Sequence, residues 1–419
     1  MRTPAPLHHR DFRLLFTGRT VGYLGNAAAP IALAYAVLDL TGSFAELGLV
    51  VVARSVANVV LLLAGGVLAD RWPRALVLTG SQMMAAGTQG AVAALVLTGT
   101  ATVPLLAGLG VLNGAAAAIA FPATASLVPH TVPAHLLRQA NALSRLGLNA
   151  ALVGGAAVGG ALVALVGPGW GLALDATCFA VAALCFSRIT AALVARTIRT
   201  SPWRDLREGW GEFVARRWVW VVVAQFCVVN AAWVGGTAVL GPAVANTTIG
   251  RLGWGFSSAA LGAGLAIGAL IAMRRQPDRA LGFGVLLCLT LTAPLLVLAR
   301  GPSLVVLLPV MFVAGVALEQ FGVAWDVSLQ ENVPPERLAR VYSYDALGSY
   351  LAIPLGEVAV GPIAERVGIG PTLVGCAALI AAATLTALVS NDVRQLRRRP
   401  PVTDHAPHSQ ESPSGPSAG

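Results

Sequence analysis

The stretch VVARSVANVVLLLAGG (51–66) holds sixteen residues with one charge, Arg54, and no alternation of apolar and polar positions. A second stretch, GVLLCLTLTAPLLVLA (284–299), holds sixteen with no charge at all. A bilayer-spanning helix needs ~20 mainly apolar residues at about 1.5 Å rise each, and both stretches reach that length with their apolar flanks. A membrane β-barrel shows ~10-residue segments of strict alternation, so length and pattern both reject it.

Reading outward from these two gives twelve apolar stretches, at 14–38, 45–69, 75–98, 103–127, 140–166, 168–188, 218–244, 254–274, 279–299, 303–328, 342–364 and 369–390. The composition agrees. The 419 residues are 56% hydrophobic and 11% charged, whereas soluble domains carry about 25% charged residues. Too little polar surface exists to face water on all sides. The expected fold is an all-α membrane protein, with twelve transmembrane helices in two pseudo-symmetric six-helix bundles. The expected divisions are 1–188 for the first bundle, 189–217 for a central loop, 218–392 for the second bundle and 393–419 for a Pro/Ser/Gly-rich disordered tail.

All 28 basic residues are arginine, a usage that fits a GC-rich bacterial genome. Their placement sets the orientation. Arg2, Arg10, Arg13, Arg71, Arg74, Arg138, a cluster at 196–217, Arg274, Arg275, Arg279, Arg337, Arg340 and the run from Arg394 to Arg399 fall on one side. Only Arg251, Arg300 and Arg366 occupy the other loops. The positive-inside rule then places both termini and the central loop in the cytoplasm of a multi-pass protein of a bacterial plasma membrane. The net charge of +9 is topological, directed at anionic lipid headgroups, and no nucleic-acid partner is expected. The first span is too long for a signal-peptide core and reads as a retained helix. Within the central loop, Trp203, Leu206, Trp210, Phe213 and Val214 recur at helical spacing among arginines, the pattern of an amphipathic helix on the membrane surface.

Several chemistries are excluded. The five cysteines, Cys178, Cys185, Cys227, Cys288 and Cys376, lie inside spans without metal-ligand spacing, and every histidine lies outside the spans. No metal site and no cofactor is expected. There is no phosphate-binding glycine loop and no lysine to complete one, so the chain is not read as an ATPase or another enzyme.

The halves repeat. VPAHLLRQANALSRLG (132–147) aligns with VPPERLARVYSYDALG (333–348), and a gapless extension to Gly169 and Gly370 gives eleven identities in 38 positions. Parallel six-helix repeats about an axis along the membrane normal define one transporter architecture, with its site near the midplane between the halves.

Between spans two and three lies GVLADRWPRA (66–75). A carboxylate at a membrane boundary is stable against an arginine or a helix N-terminus. Asp70 and Arg71 at the end of one span and Pro73 at the start of the next therefore read either as a gate latch or as an interfacial turn. This stretch resembles the major facilitator superfamily motif G-x-L-A-D-R-x-G-R-[RK]. It matches at Gly66, Leu68, Ala69, Asp70, Arg71 and Arg74 and departs at Pro73 and Ala75. With RDFRLLFTGRTVGYLGN (10–26), LTGS (40–43) and NGAAAAIAFPA (113–123), the chain is similar to the exporter branch that includes siderophore and macrolide efflux proteins. The resemblance implies that Asp70 meets the start of span eleven in the outward-open state. It also aligns ALVGGAAVGG (151–160) with the antiporter motif G-x-x-x-G-P-x-x-G-G, matching at Gly155, Gly159 and Gly160; small residues at this spacing also serve plain helix packing.

A charge inside the bilayer costs about 2.5–3.5 kcal/mol on insertion scales, so Arg54, Glu319 and Glu357 near span centres are the leading functional candidates. Glu319 or Glu357 is expected to carry a proton; Asp326, near the cytoplasmic end of span ten, either extends the path or is a wet interfacial acid. Arg54 either binds an anion or holds a carboxylate ionised; the competing reading is a static ion pair of Arg54 with a Glu. Asp175 and Asp345 are expected in first turns, where the helix dipole stabilises them. Asn26, Asn58, Asn113, Asn149, Gln225, Asn230, Trp233, Gln320 and Tyr350 are candidates for the cavity wall or for interhelical hydrogen bonds.

The function expected is proton-coupled efflux of a small amphipathic compound by a monomer. The partners are the substrate, protons and the lipid bilayer. The alternatives are an uptake symporter of the same fold, or a non-transporting membrane sensor or scaffold.

Overall fold

The computed structural model describes residues 5–71, 74–125, 127–128, 131–133, 136–189, 210–211, 213–274 and 277–397. Within them, the side chains of 62–71, 74, 121–125, 138, 142, 273, 335–340 and 343 lie outside the description.

Among the described residues, twelve long helical elements follow in chain order. The first bundle holds α1 (Arg10–Thr41), α2 (Phe44–Arg71), α3 (Arg74–Leu97), α4 (Val103–Ala125), α5 (Leu137–Leu165) and α6 (Pro168–Ser187). The second holds α7 (Arg217–Thr247), α8 (Gly250–Arg274), α9 (Ala280–Ala299), α10 (Leu304–Asn332), α11 in two pieces (Pro335–Tyr350 and Ile353–Val367) and α12 (Ile369–Val389). Eleven are long and apolar enough to cross a membrane among the described residues. The other, α3, has 24 residues, about 36 Å of helix. Large apolar side chains such as Leu49, Met83, Leu165 and Val305 point outward, as a lipid-facing surface requires.

Prolines break the regular helices where backbone hydrogen bonds must be given up. In α7 a π-helical segment, Gly235–Leu240, precedes Pro242. In α9 a 3-10 turn, Cys288–Leu291, precedes Pro294. In α11 the break at Leu351 and Ala352 precedes Pro354 in the first turn of the second piece. Such irregular backbone is tolerated at membrane depth only when protein or a cavity covers it.

The bundles meet along two seams, α5 against α8 and α2 against α11. Small residues permit both. A Cβ at Gly160 of α5 would stand 2.6 Å from the Cα of Gly255 on α8, and a Cβ at Gly361 of α11 would stand 2.8 Å from the Cα of Ala45 on α2. Inside the first bundle, a Cβ at Gly159 would lie 2.7 Å from the Cα of Ala28 on α1. These positions lie in the later part of α5 and α1 and the early part of α8 and α2, so they mark the end of the molecule away from the two termini.

The amphipathic segment expected in the central loop is described only from Trp210. There Trp210 stacks on Phe213 with centroids 5.7 Å apart, and both rings meet Tyr344 of α11. Phe213 is buried, so this part docks on the second bundle through its rings. The rest of the loop and the tail from residue 398 fall outside the described residues.

Two positions in α5 separate close packing from mere glycine content. Gly159→Leu is expected to overpack α1 at a cost of about 1–3 kcal/mol and to lower the thermal midpoint of the purified protein by several degrees. Gly154→Leu, where a Cβ meets nothing within 4 Å, is expected to leave that midpoint unchanged in the same fluorescence-monitored melt.

Candidate functional site: a central cavity with a sealed far end

A cavity of about 490 Å³ lies mostly against the first bundle. Gly18 to Asn26 of α1, Arg54 to Val59 of α2, Ser81 to Ala85 of α3, Asn113 to Ala120 of α4 and Phe179 to Phe186 of α6 contribute to its wall, and Ala346, Tyr350 and Ile353 of α11 face them. By their places in these helices, the lining residues run from the middle of the molecule toward the end that carries both termini. The volume suits a drug-sized ligand. The wall is largely apolar and aromatic, with Tyr23, Phe179, Phe186 and Tyr350 among a few polar groups.

Of the residues expected at the cavity, Asn26, Asn58, Asn113, Arg54 and Tyr350 line it. Four others do not. Asn230 donates through Nδ2 to the carbonyl of Ser349 at 2.9 Å, and Gln320 donates through Nε2 to the carbonyl of Gly268 at 2.6 Å. Trp233 packs against the hydrophobic core, and Asn149 of α5 is half-buried away from the cavity wall. Gln225, buried, donates to Thr384 Oγ1 at 3.2 Å. Asn230, Gln225 and Gln320 thus tie helices of the second bundle together, since a polar side chain in an apolar medium takes whichever backbone or hydroxyl partner its helix offers.

Arg54 donates through Nη2 to Asn26 Oδ1 at 2.9 Å, while its Nε is buried without a partner among the described residues. It forms no ion pair among those of the described residues, so a static pair of Arg54 with a Glu is not what the geometry holds. Glu357, 2% exposed, accepts from Ser55 Oγ at 2.9 Å across the seam between the bundles. The break before Pro354 makes this possible. It turns Tyr350 and Ile353 to the cavity and Glu357 to α2.

Glu319 takes a different place. Its Oε1 lies 3.5 Å from Arg145 Nη1 of α5, and Arg145 Nη2 lies 3.9 Å from Asp326 Oδ2. Asp326 also accepts from Tyr342 at 3.1 Å. Arg145 is largely exposed, so these are loose bridges between the bundles.

Two expectations need correction. Asp175 is the eighth residue of α6 and Asp345 the eleventh of the first piece of α11, too deep for the dipole of a first turn. Asp345 accepts from Trp325 Nε1 at 2.9 Å and from Ser349. Asp175 is 1% exposed and accepts from Gln89 Nε2 at 2.5 Å. Asn113, buried beside this region, donates to Thr88 Oγ1 at 3.2 Å.

The far end is sealed. Arg251 at the start of α8 forms a two-pronged pair with Asp39 at the end of α1, one arm donating from Nη1 to Oδ2 at 2.8 Å. The same guanidinium lies 4.9 Å over the ring of Tyr35, a cation–π contact. Glu365 of α11 accepts from Ser43 Oγ at 3.0 Å and from the backbone N–H of Ala45 at 3.2 Å. Both links join one bundle to the other, and from the sequence alone Arg251 reads only as a loop residue.

The side chains of Gly66, Asp70, Arg71 and Arg74 lie outside the described residues; the backbone places them at the end of α2 and the start of α3. Gly155, Gly159 and Gly160 face α1 and α8 closely, Gly155 against Leu24 and Ala27.

The Major Facilitator Superfamily profile matches residues 15–357. The enterobactin exporter EntS of Shigella dysenteriae serotype 1 is 28% identical over 415 residues, covering 94% of this chain and 95% of that protein. The enterobactin exporter EntS of Citrobacter koseri is 26% identical over 434 residues, covering 95% and 96%. Among solved structures, a bacterial homolog of the human lysosomal transporter Spinster, inward-facing and unoccupied, superposes with a TM-score of 0.73 at 15% identity, covering 96% of this chain and all of that one. The nucleoside transporter NupG gives 0.73 at 14% identity, covering 90% and 98%. Twelve helices in two bundles, a cavity facing both and a profile match across most of the chain converge: this chain belongs to the Major Facilitator Superfamily and is a multi-pass membrane transporter.

Proposed function

We propose that the chain is a proton-driven exporter of a small amphipathic compound, such as a siderophore, an antibiotic or a secondary metabolite, in the plasma membrane of a bacterium. The observation that carries this reading is the 490 Å³ cavity closed at one end by cross-bundle contacts and extending toward the other. With both termini cytoplasmic, as the arginine placement implies, the cavity faces the cytoplasm and takes up its load there. The similarity to enterobactin exporters over nearly the whole length supports outward transport and a siderophore-like load, and the aromatic wall suits a compound with apolar rings.

Alternating access then requires the far-end seal to open and the seams to pivot. The arm from Arg251 to Asp39 is the seal most readily exchanged, because its partners are partly exposed and a surface pair is worth about 1 kcal/mol or less. Glu357 is the proton carrier of this reading. Its carboxyl sits on the seam between α2 and α11, so rocking of the bundles breaks the contact with Ser55 and changes what the carboxyl faces. Glu319 and Asp326, held by Arg145, act as a second bridge that exchanges on closure.

Three outcomes are expected. In inverted vesicles carrying the chain, an acid-inside gradient drives accumulation of a siderophore or lipophilic drug, and Glu357→Gln reduces it to the level of empty vesicles; transport in the variant equal to wild type removes Glu357 as carrier. In a Leu38→Cys background, Arg251→Gln raises the rate of labelling by an external membrane-impermeant maleimide roughly fivefold, the ratio that about 1 kcal/mol represents; an unchanged rate removes the latch. A tag on either terminus is protected from protease in right-side-out vesicles and cut in inverted ones; the opposite pattern reverses the proposed direction of the cavity.

A further inference from the structure

Arg54 has two acids behind it. Ser55, the residue after Arg54, donates to Glu357 Oε1 at 2.9 Å. Asn26, which accepts from Arg54, follows Gly25, and a Cβ at Gly25 would stand 2.6 Å from Asp175 Oδ1 and 3.0 Å from its Cα. Through these neighbours both carboxyl groups are placed close to Arg54. Asp175 belongs to the first bundle and Glu357 to the second, so one guanidinium stands between one acid of each.

The two carboxyl groups are dry, at 1% and 2% residue exposure. In each, one oxygen accepts a single hydrogen bond and the other, Asp175 Oδ1 or Glu357 Oε2, is buried without a partner among the described residues. An ionised carboxylate seeks about four donors, and a buried one without a counter-charge is strongly disfavoured. Arginine stays charged in proteins. One fixed positive charge therefore balances one carboxylate, and the second carboxyl must hold a proton.

The other ionisable groups near the trio do not alter this balance. Arg19 and Tyr23 of α1 and Tyr350 of α11 line the cavity itself, with the Arg19 guanidinium 5.9 Å over the Tyr23 ring. Cys178 of α6 lies against Gly25. Among the described side chains of the packed helices, α1 also carries Arg10, Asp11 and Arg13 toward the termini and Tyr35 and Asp39 toward the sealed end, α2 carries Glu46, and α11 carries Tyr342, Tyr344 and Asp345 on its first piece and Glu365 and Arg366 toward the sealed end; α5 carries Arg145, α6 Cys185, α7 Arg217 and Cys227, and α12 Cys376, while α4 carries none. None of these is a second cation buried beside Asp175 or Glu357.

We infer that Asp175 and Glu357 share one proton around Arg54, making Asp175 a second coupling residue of the transporter. In the cycle, a proton arriving from the far side neutralises the Glu357 carboxylate. Arg54 is then balanced by Asp175, which gives up its own proton to the open cavity. The proton on Glu357 then passes to Asp175, which restores the starting state, so one proton enters and one leaves per turn and the trio keeps the same net charge throughout. The use of this proton in transport rests on the export reading; the protonation state of the trio does not.

The test reads protonated carboxyl groups by their infrared carbonyl stretch, in purified protein in proteoliposomes at neutral pH with no substrate added. Asp175→Asn and Glu357→Gln are each expected to remove one protonated carboxyl per molecule, because the remaining acid becomes the sole counter-charge of Arg54. Arg54→Gln is expected to add one, doubling the contribution of the trio. Signals unchanged in Arg54→Gln, or unchanged in both acid variants, overturn the shared proton. Should Asp175→Asn fail to fold, Glu357→Gln and Arg54→Gln decide the matter on the same terms. Failure of every compound to be exported would sink the export reading and leave these band counts untouched, so the two ideas fail separately.

Discussion

The approach of the two bundles at the end away from the termini constrains everything else in this structure. In lipid, helices gain little from hiding apolar surface against one another, so close contact depends on small residues that let backbones meet. Gly160 and Gly255 supply this between α5 and α8, and Gly361 does so between α11 and the start of α2. Once these seams close one end, the helices diverge toward the other, and the cavity occupies the space between them. The ion pair of Arg251 with Asp39 and the hydrogen bonds to Glu365 then fall on an already narrow gap.

A transporter needs contacts strong enough to define each state and weak enough to exchange. The polar links between the bundles have that character. Arg251–Asp39 and Arg145–Glu319 join partners that are in part exposed, where solvent and headgroups compete for the charges. The dry polar groups lie elsewhere, around Arg54, where Asn26, Gln89 and Ser55 each satisfy one atom of a charged neighbour. Stability is thus carried by glycine-mediated packing, while charges are kept for exchange between states and for protons.

Irregular backbone is concentrated where function needs it. Pro354 lies where one helical run ends and another starts, and across this break Tyr350 and Ile353 face the cavity while Glu357 meets α2, all within eight residues. The π segment before Pro242 faces the same region of α11, where a Cβ at Gly235 would stand 2.8 Å from the carbonyl of Gly356.

The sequence alone determined the class of the molecule, because bilayer thickness converts apolar run length directly into span number, and all twelve runs reappear as helices with limits shifted by a few residues. It also singled out Arg54 and Glu357, since the cost of a charge in an apolar stretch is visible without coordinates. What it could not decide was partnership. Asp175 reads along the chain as a residue near a helix start, yet it is dry and faces Gly25 and Gln89. Asn230 and Gln320 read equally as cavity residues or as interhelical partners, and it is their bonds to backbone carbonyls of neighbouring helices that decide between the two. Arg251 reads as a loop charge, yet it seals the far end. Each of these depends on the rotation of a helix about its axis and on what lies across from it. Hydropathy carries no information on rotation when nearly every position is apolar, so only the tertiary structure could decide it.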